Sequence, residues 1–251
     1  VQGDILDLES VKAAVSGCEA VYHFAGVADL NHAFDKPFET IEKNILGAVN
    51  VLEACKVQGV RRFIYASTVY VHGKHGGFYR CSKQSAEAYV EEYQRLFSLD
   101  YTILRFGSLY GPRSDETNGL HKIAKKALKD GFVSYQGSSD TMREYIHVDD
   151  AAKASVAALH EDFCNENVIL SGHEIMNVKD VLEMLSEILG FNEPVKFEDQ
   201  TQKGHYVRTP YALKPKWVKH YTPTMRVDLG LGLLNLVQEI NESAGVEVID
   251  P

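Results

Sequence analysis

A tyrosine and a lysine four residues apart, Tyr79 and Lys83, open a stretch of helical periodicity, GGFYRCSKQSAEAYVEEYQ (76–94). Side chains at this spacing lie on the same helix face, so an ammonium is predicted beside a phenol. A free tyrosine titrates near about 10, and a neighbouring cation stabilises the phenolate and lowers the pKa. The pair therefore predicts either a tyrosine acid/base with a lysine modulator or an ordinary exposed pair.

The spacing alone is a weak signal. With thirteen tyrosines in the chain, about one such pair is expected by chance, and Tyr70 and Lys74 form a second one. Gly73 interrupts this second pair and no helical period continues from it, so only the first pair is predicted to share a face. An acid/base tyrosine needs a hydroxyl near the same substrate oxygen, and Thr68 ends a predicted strand just upstream. The alternative for Thr68 is a strand-end hydroxyl bonded to its own backbone.

The elements that must position these side chains alternate between short apolar runs and stretches with the helix period. The predicted buried strands are 20–26, 61–67, 101–107, 144–148 and 167–172. The predicted helices between them are 37–59, 79–97 and 147–160. This alternation predicts an α/β fold with a Rossmann-like, doubly wound parallel sheet covered by helices on both faces.

The sequence also predicts a division into two lobes. Residues 1–107 and 143–172 carry the strand–helix alternation, whereas a turn-rich segment begins near residue 108. Residues 108–142 and 173–251 are therefore predicted to form a smaller C-terminal lobe. Because ligands of open α/β sheets bind beyond the carboxyl ends of the strands, we expect the functional site there.

Composition excludes several classes of function. A formal net charge of −9 argues against nucleic acid or an anionic membrane as the main partner. No apolar run reaches the length of a membrane span. The cysteines are scattered, which predicts reduced thiols and a cytoplasmic protein. His160 and Cys164 are four residues apart, but without further ligands nearby no metal site is expected.

Five blocks of sequence, taken in order, resemble the extended short-chain dehydrogenase/reductases, specifically the NAD-dependent sugar-nucleotide epimerases and dehydratases. The blocks are GDILD (3–7), VYHFAG (21–26) with KPFETIEKNILGAVNVLEA (36–54), ASTVYVHG (66–73) with FYRCSK (78–83), LRFGSLYGPR (104–113) and REYIHVDD (143–150). Each block alone is weak, but the ordered set is a strong signal over residues 1 to about 155. The resemblance implies an enzyme with a dinucleotide-binding domain (1–107 and 143–172) and a substrate-binding lobe (108–142 and 173–251).

The resemblance also implies residue roles. Tyr79 would be the acid/base, Lys83 its modulator and a ligand of the nicotinamide ribose, and Thr68 the hydroxyl that shares the substrate proton. The implied cofactor-binding residues are Asp4, Ile5, Phe24, Ala25, Gly26, Asn44, Tyr79, Lys83 and Phe106. Glycine suits position 26 because the main chain must pass close to a ligand there. For Asn44 the alternative is a polar contact within the protein.

The implied substrate-binding residues are Thr68, Ser108, Arg113 and Arg143. A guanidinium binds phosphate oxygens through two hydrogen bonds, so Arg143 suits a sugar-nucleotide diphosphate. For Arg113 a solvated loop charge is an equal alternative, and Ser108 stands where many relatives have Asn. His147 with residues 149–150 is interpreted as a strand end and a helix cap, and His23 as a core histidine.

The chain departs from the family at its start. It contains no glycine-rich dinucleotide fingerprint and begins at the GDILD block without Met. We therefore expect an N-terminally truncated chain that lacks the first βαβ unit and its pyrophosphate cradle. The choice between NAD and NADP cannot be read without that segment, so NAD is expected and NADP is not excluded.

The residues after Thr68 bear on the reaction. The dehydratases place an Asp-Glu pair there, whereas this chain has Val69 and Tyr70. The resemblance therefore favours a 4-epimerase that acts on a UDP- or dTDP-hexose through a transient 4-keto sugar. The alternatives are a reductase, decarboxylase or dehydratase of the same family, or a non-catalytic dinucleotide-binding protein. Helices 37–59 and 79–97 form a dimer interface in relatives, which implies a homodimer.

Overall fold

The computed structural model describes residues 2–172, 175–198, 204–208, 219–221 and 226–243. The chain divides into two compact units. The first contains Val1–Phe106, Ser155–Leu170 and Pro210–Tyr221, and the second contains Gly107–Ala154, Ser171–Thr209 and Thr222–Pro251. The domain boundaries expected from the sequence stay a prediction.

A five-stranded sheet forms the centre of the first unit. Its strands, in spatial order, are β1 (Ala20–His23), β2 (Arg62–Thr68), β3 (Asp100–Phe106), β8 (Glu166–Leu170) and β11 (Lys219–His220). All neighbouring strands run parallel. Consecutive residues of β2, β3 and β8, such as Phe63 and Ile64, are buried on both faces of the sheet, which is why these three strands appear as apolar runs in the sequence. The predicted Rossmann-like α/β fold with a parallel sheet is confirmed.

The first unit also contains helices before and between its strands. They are α1 (Leu8–Val15), α2 (Leu30–Asp35), α3 (Pro37–Ile41), α4 (Gly47–Gln58) and α5 (Gly77–Phe97). A π-helical turn, Glu42–Leu46, connects α3 to α4, so the predicted helix 37–59 exists but carries an irregular turn. Helix α5 starts two residues before the predicted position, directly after Gly76 with its positive φ of 96°. Residues of α1, α4 and α5 form the core of this unit with the strands.

The second unit contains shorter elements. They are β4 (Ser108–Tyr110), α6 (Gly119–Asp130), β5 (Ser134–Gln136), β6 (Met142–Arg143), β7 (Tyr145–His147), β9 (Met176–Asn177), α8 (Val178–Ile188), β10 (Lys196–Glu198) and α9 (Leu229–Ser243). Three strand pairs form here: β4 with β7, β5 with β10, and β6 with β9. Leu182, Leu185, Leu233 and Leu236 are fully buried between α8 and α9 in the core of this unit.

Two sequence predictions need adjustment. The predicted strand 144–148 is the three-residue β7, which pairs with β4 and lies outside the five-stranded sheet. The helix that follows it, α7 (Val148–Ala157), ends three residues earlier than predicted. In the described part of the chain, no helix combines the length and apolar character needed to cross a membrane.

Candidate active site

Helix α5 and the carboxyl end of β2 bring Thr68, Tyr79 and Lys83 together. The three residues are 5%, 9% and 6% exposed, respectively. The Tyr79 hydroxyl forms a hydrogen bond with the Thr68 side chain. Lys83 Nζ donates to the carbonyl oxygen of Ala66 at 2.7 Å and lies 5.9 Å from the centroid of the Tyr79 ring. A phenol, a hydroxyl and an amine therefore meet at one sheet edge.

Burial controls the proton affinity of this group. Desolvation raises the pKa of Tyr79 to about 12, and the Thr68 hydrogen bond acts in the opposite direction. Desolvation also lowers the pKa of Lys83 to about 8, against the attraction of Glu87. The prediction that Lys83 lowers the Tyr79 pKa is therefore wrong for this structure, because burial of the phenol sets the direction of the shift. Tyr79 holds its proton at neutral pH.

One side of the phenol is closed by apolar side chains. Tyr79 packs in a small cluster with Val27, Leu30, Ala33 and Tyr70. The ring of Tyr70 meets it edge-on, with the centroids 6.4 Å apart and the planes at 76°. These side chains contribute to the burial of Tyr79, and burial raises its pKa.

The loop after β1 presents backbone and an aromatic ring to the surface. Phe24 is 54% exposed, and its ring lies 6.2 Å from that of Phe106, which ends β3. Ala25 and Gly26 are also exposed. Gly26 has a φ of +146°, and a Cβ there would come within 2.6 Å of Asn44 Oδ1. A side chain at position 26 is therefore excluded both by backbone conformation and by space.

Asn44 holds this loop in place. It lies in the π-helical turn and is 2% exposed. Its Oδ1 accepts from Val27 N at 2.7 Å, and its Nδ2 donates to Val27 O and to Ser82 Oγ, each at 2.9 Å. Since both amide hydrogens are used within the protein, these contacts favour the alternative interpretation of Asn44 as an internal polar contact. A π-helical turn often occurs at functional sites, and here it turns Asn44 towards the β1 loop.

Asp4 and Ile5 lie in the segment before α1. The exposed Asp4 side chain accepts from Leu6 N at 2.9 Å. The Ile5 carbonyl accepts from Asn50 Nδ2 at 2.9 Å, and its side chain packs against Gly47, where an added Cβ would come within 2.6 Å. Both residues are thus held by contacts with α4 or by a local turn.

The residues of the first unit fit a dinucleotide such as NAD. An ammonium has three donors, and only one donor of Lys83 is accounted for by Ala66, so a ribose hydroxyl can be bound as well. The exposed face of Phe24 offers a surface for a flat ring, and the exposed backbone at Gly26 permits close approach of a ligand. The described residues contain no group of three His, Cys, Asp or Glu side chains arranged to hold a metal.

In the second unit, Ser108 and Arg143 both contact Tyr206, whereas Arg113 contacts Glu239. Arg143 is 8% exposed, donates to Tyr206 O at 2.7 Å and stacks on the Tyr206 ring with its Cζ 4.2 Å from the centroid. The Tyr206 hydroxyl forms a hydrogen bond with Ser108. Arg113 is exposed, and its backbone N–H donates to Glu239. No sequence pattern pointed to Tyr206, because it lies in a segment without periodicity.

The histidines predicted to be structural are buried. His23 stacks on Phe63 and Tyr65, and burial lowers its pKa to about 4, assisted by the charge of Lys83. His147 ends β7, and its Nδ1 accepts from Asp149 N at 3.2 Å. Residues 149–150 lie in the first turn of α7, not at the predicted cap position.

Helix α5 also carries one member of a buried ion pair that was not predicted from the sequence. Arg105 Nη2 donates to Glu87 Oε2 at 2.7 Å, and both side chains are about one-tenth exposed. Glu87 lies one turn after Lys83 and two turns after Tyr79 on α5. This repeated spacing of four residues is the signal that could have identified it.

The fold and the site together define a class: a parallel α/β sheet with a Thr–Tyr–Lys group at the carboxyl end of its second described strand. The model of the NAD dependent epimerase/dehydratase family matches residues 1–178. The chain belongs to this family, which consists of enzymes.

Similar proteins include both epimerases and dehydratases. A putative UDP-glucose 4-epimerase of Methanocaldococcus jannaschii is 25% identical over 255 residues, covering 94% of this chain and 82% of that protein. A dTDP-glucose 4,6-dehydratase of Mycobacterium tuberculosis is 27% identical over 232 residues, covering 86% and 69%. The solved UDP-glucose 4-epimerase of Thermotoga maritima with UDP-glucose aligns with a TM-score of 0.81 at 25% identity, covering 97% of this chain and 84% of that one.

Proposed function

We propose that the chain is an NAD-dependent nucleotide-sugar 4-epimerase that acts on a UDP- or dTDP-hexose. The observation that carries the proposal is the hydrogen bond between Tyr79 and Thr68, with the Lys83 amine one helical turn away. Val69 and Tyr70 follow Thr68 where the dehydratases have an acidic pair, so the residues needed to eliminate water are missing at this position. NAD is the proposed cofactor, with NADP as the alternative.

The chain's own residues would manage one proton at the C4 oxygen of the sugar. Tyr79 takes the proton of the C4 hydroxyl and later returns it to the ketone oxygen, while Thr68 hydrogen-bonds the same oxygen. NAD, when bound, would supply the acceptor and donor of the C4 hydride and a positive charge near the phenol. In the protein by itself, burial keeps the Tyr79 phenol protonated at neutral pH. The phenol therefore needs such a positive charge nearby before it can act as a base.

The other predicted site residues are proposed to bind cofactor or substrate. Asp4, Ile5 and the residues of the β1 loop (24–26), with Phe106 beside them, would contact the dinucleotide. In the second unit, the buried guanidinium of Arg143 suits a diphosphate, and Ser108 is joined to it through Tyr206. Arg113 lies on an exposed loop, so a solvated charge remains its alternative role.

A homodimer and a cytoplasmic location are also proposed. The exposed apolar side chains Phe38, Ile41 and Leu46 lie on α3 and the π-helical turn, and Tyr89 and Leu96 lie on α5. Exposed apolar side chains on helices suit an interface between copies of the chain. Sedimentation of the purified protein tests the dimer, and a monomer at micromolar concentration would count against it. The free cysteines suit a reducing compartment.

The replacement of Tyr79 by Phe tests the function. Tyr79→Phe removes the proton-carrying oxygen and should lower epimerase turnover by about 10²- to 10⁴-fold, while NAD still binds. Tyr93→Phe is the matched control, since Tyr93 lies on the same helix and its hydroxyl bonds Glu53 at 3.0 Å. Turnover is followed as conversion of UDP-glucose, UDP-glucuronate and dTDP-glucose to their 4-epimers.

The outcomes separate the alternatives. Undiminished turnover in Tyr79→Phe would contradict the proposed role of the phenol. Net consumption of NAD(P)H would indicate a reductase, release of carbon dioxide a decarboxylase, and loss of water a dehydratase. A protein that binds the dinucleotide but no sugar nucleotide would be a non-catalytic binding protein.

A further inference from the structure

Helix α5 docks on the end of β2 through three evenly spaced side chains. Tyr79, Lys83 and Glu87 are separated by four residues each and lie on one helix face. They meet the consecutive residues 66–68 of β2: Lys83 bonds the carbonyl of the first, Glu87 the hydroxyl of the second and Tyr79 the hydroxyl of the third. The two side chains with proposed chemical roles therefore share their docking surface with a third, Glu87.

The carboxylate of Glu87 joins three elements. Ser67 Oγ donates to Oε1 at 2.5 Å, Arg105 Nε donates to Oε1 at 3.0 Å, and Arg105 Nη2 donates to Oε2 at 2.7 Å. Ser67 and Arg105 are register partners on β2 and β3. All three residues are at most 8% exposed. We name Glu87, Ser67 and Arg105 the Glu87 clamp.

The charge of Glu87 also acts on the Lys83 amine, one helical turn earlier on α5. Burial lowers the pKa of Lys83, and the charge of Glu87 raises it. The other groups that face this amine are His23 from β1, which burial keeps neutral, and the rings of Tyr65 and Tyr79. Among these described neighbours of the amine, Glu87 is the one that carries negative charge.

We propose that Glu87 is a positioning residue for the Tyr79–Thr68–Lys83 site. Its carboxylate fixes the strand end that carries Thr68 and supplies the negative charge that keeps Lys83 protonated inside the protein. The effect on turnover rests on the proposed function. The effect on the proton of Lys83 does not.

The titration of Lys83 tests the inference directly. Protein labelled with ¹³C and ¹⁵N in its lysines is titrated by NMR, and Lys83→Met assigns the signal. Glu87→Gln should move the Lys83 midpoint to lower pH by on the order of one pH unit, since an opposite charge nearby is lost. Glu92→Gln, an exposed carboxylate on the same helix that pairs with Arg95, should leave the midpoint unchanged.

A second comparison separates the effect of the Glu87 charge from the effect of lost stability. Glu87→Gln leaves Arg105 buried without its ionic partner, which is strongly destabilising. The double variant Arg105→Gln/Glu87→Gln removes both charges, and it differs from Arg105→Gln only in the charge of Glu87. The Lys83 midpoint should be lower in the double variant than in Arg105→Gln.

The outcomes distinguish the two proposals. A midpoint that is the same with and without Glu87 in both comparisons overturns the positioning role, even if the wild type is an active epimerase. A lowered midpoint in a protein that has no epimerase activity supports the role of Glu87 and removes the proposed function. In an active protein, the loss of turnover at rising pH should begin at lower pH in Glu87→Gln.

Discussion

Replacing Thr68 by Val removes one hydroxyl and keeps the shape of the side chain. That hydroxyl accepts from Tyr70 N at 3.3 Å, which caps the 3₁₀ turn Val69–His72, and it hydrogen-bonds the Tyr79 phenol. Loss of a cap costs about 1 kcal/mol of stability, and a buried hydroxyl without a partner costs about 1–3 kcal/mol. Both effects share one atom and do not add fully, so we expect a loss of about 2 kcal/mol.

The effect on chemistry should be larger than the effect on stability. The Thr68 hydrogen bond lowers the pKa of Tyr79, so without it the phenol holds its proton still more tightly. Turnover of the sugar nucleotide should fall by about 10²- to 10⁴-fold, the usual contribution of a positioned acid–base group. Thr68→Ser, which keeps the hydroxyl, should recover most of the turnover.

Urea unfolding and epimerase turnover are measured on the same preparations. Thr102→Val is the matched control, because Thr102 is fully buried on β3 and its hydroxyl donates to Phe163 O at 2.8 Å, away from the site. This control should lose stability but keep turnover. Wild-type turnover in Thr68→Val, or an equal loss in Thr68→Ser, would refute the assignment of the proton-sharing hydroxyl.

Two further predictions concern the β1 loop and the acid side of the stability curve. Gly26→Ala should destabilise the protein by about 1–3 kcal/mol in urea unfolding, since φ is +146° and the new Cβ would clash with Asn44. Gly17→Ala is the control, because Gly17 has a φ of +75° with open space around it, and it should destabilise the protein less. Equal losses of stability in the two variants would contradict the steric argument. For His23, the folded-state pKa of about 4 lies below its ordinary value of 6.5, so the unfolded chain binds the proton first and the free energy of unfolding falls as pH drops from 6.5 towards 4. His23→Phe should weaken that fall, and an unchanged pH dependence would show that His23 does not contribute.

The main strands could be predicted because each is a run of mostly apolar residues, and consecutive residues of β2, β3 and β8 are buried. The predicted run 20–26 contains β1, and the runs 61–67, 101–107 and 167–172 contain all but one residue of β2, β3 and β8, respectively. Strand β11 has only two residues, both of them polar and exposed, so no apolar run in the sequence indicates it. The π-helical turn could not be foreseen either, because Glu42–Leu46 keeps an ordinary helical pattern of residue types.

The grouping of Tyr79 with Lys83 followed from their spacing, and Thr68 from its place at a strand end. The proton affinity of the phenol did not follow, since its sign depends on how much solvent is lost and this requires the packing of Val27, Leu30 and Tyr70. Glu87 was missed because a glutamate on a helix is usually solvated. Its burial depends on Arg105, which lies on strand β3 and is distant in the sequence.

The decisive experiment for the proposed epimerase follows the hydrogen at C4 of the sugar. UDP-glucose, UDP-glucuronate and dTDP-glucose, each deuterated at C4, are incubated with the protein and NAD, and the products are analysed by NMR. We expect a 4-epimer from one of them that keeps deuterium at C4, with no accumulation of NADH. Loss of the label to water, a stable 4-keto-6-deoxy product, or no epimer from any of the three would contradict it.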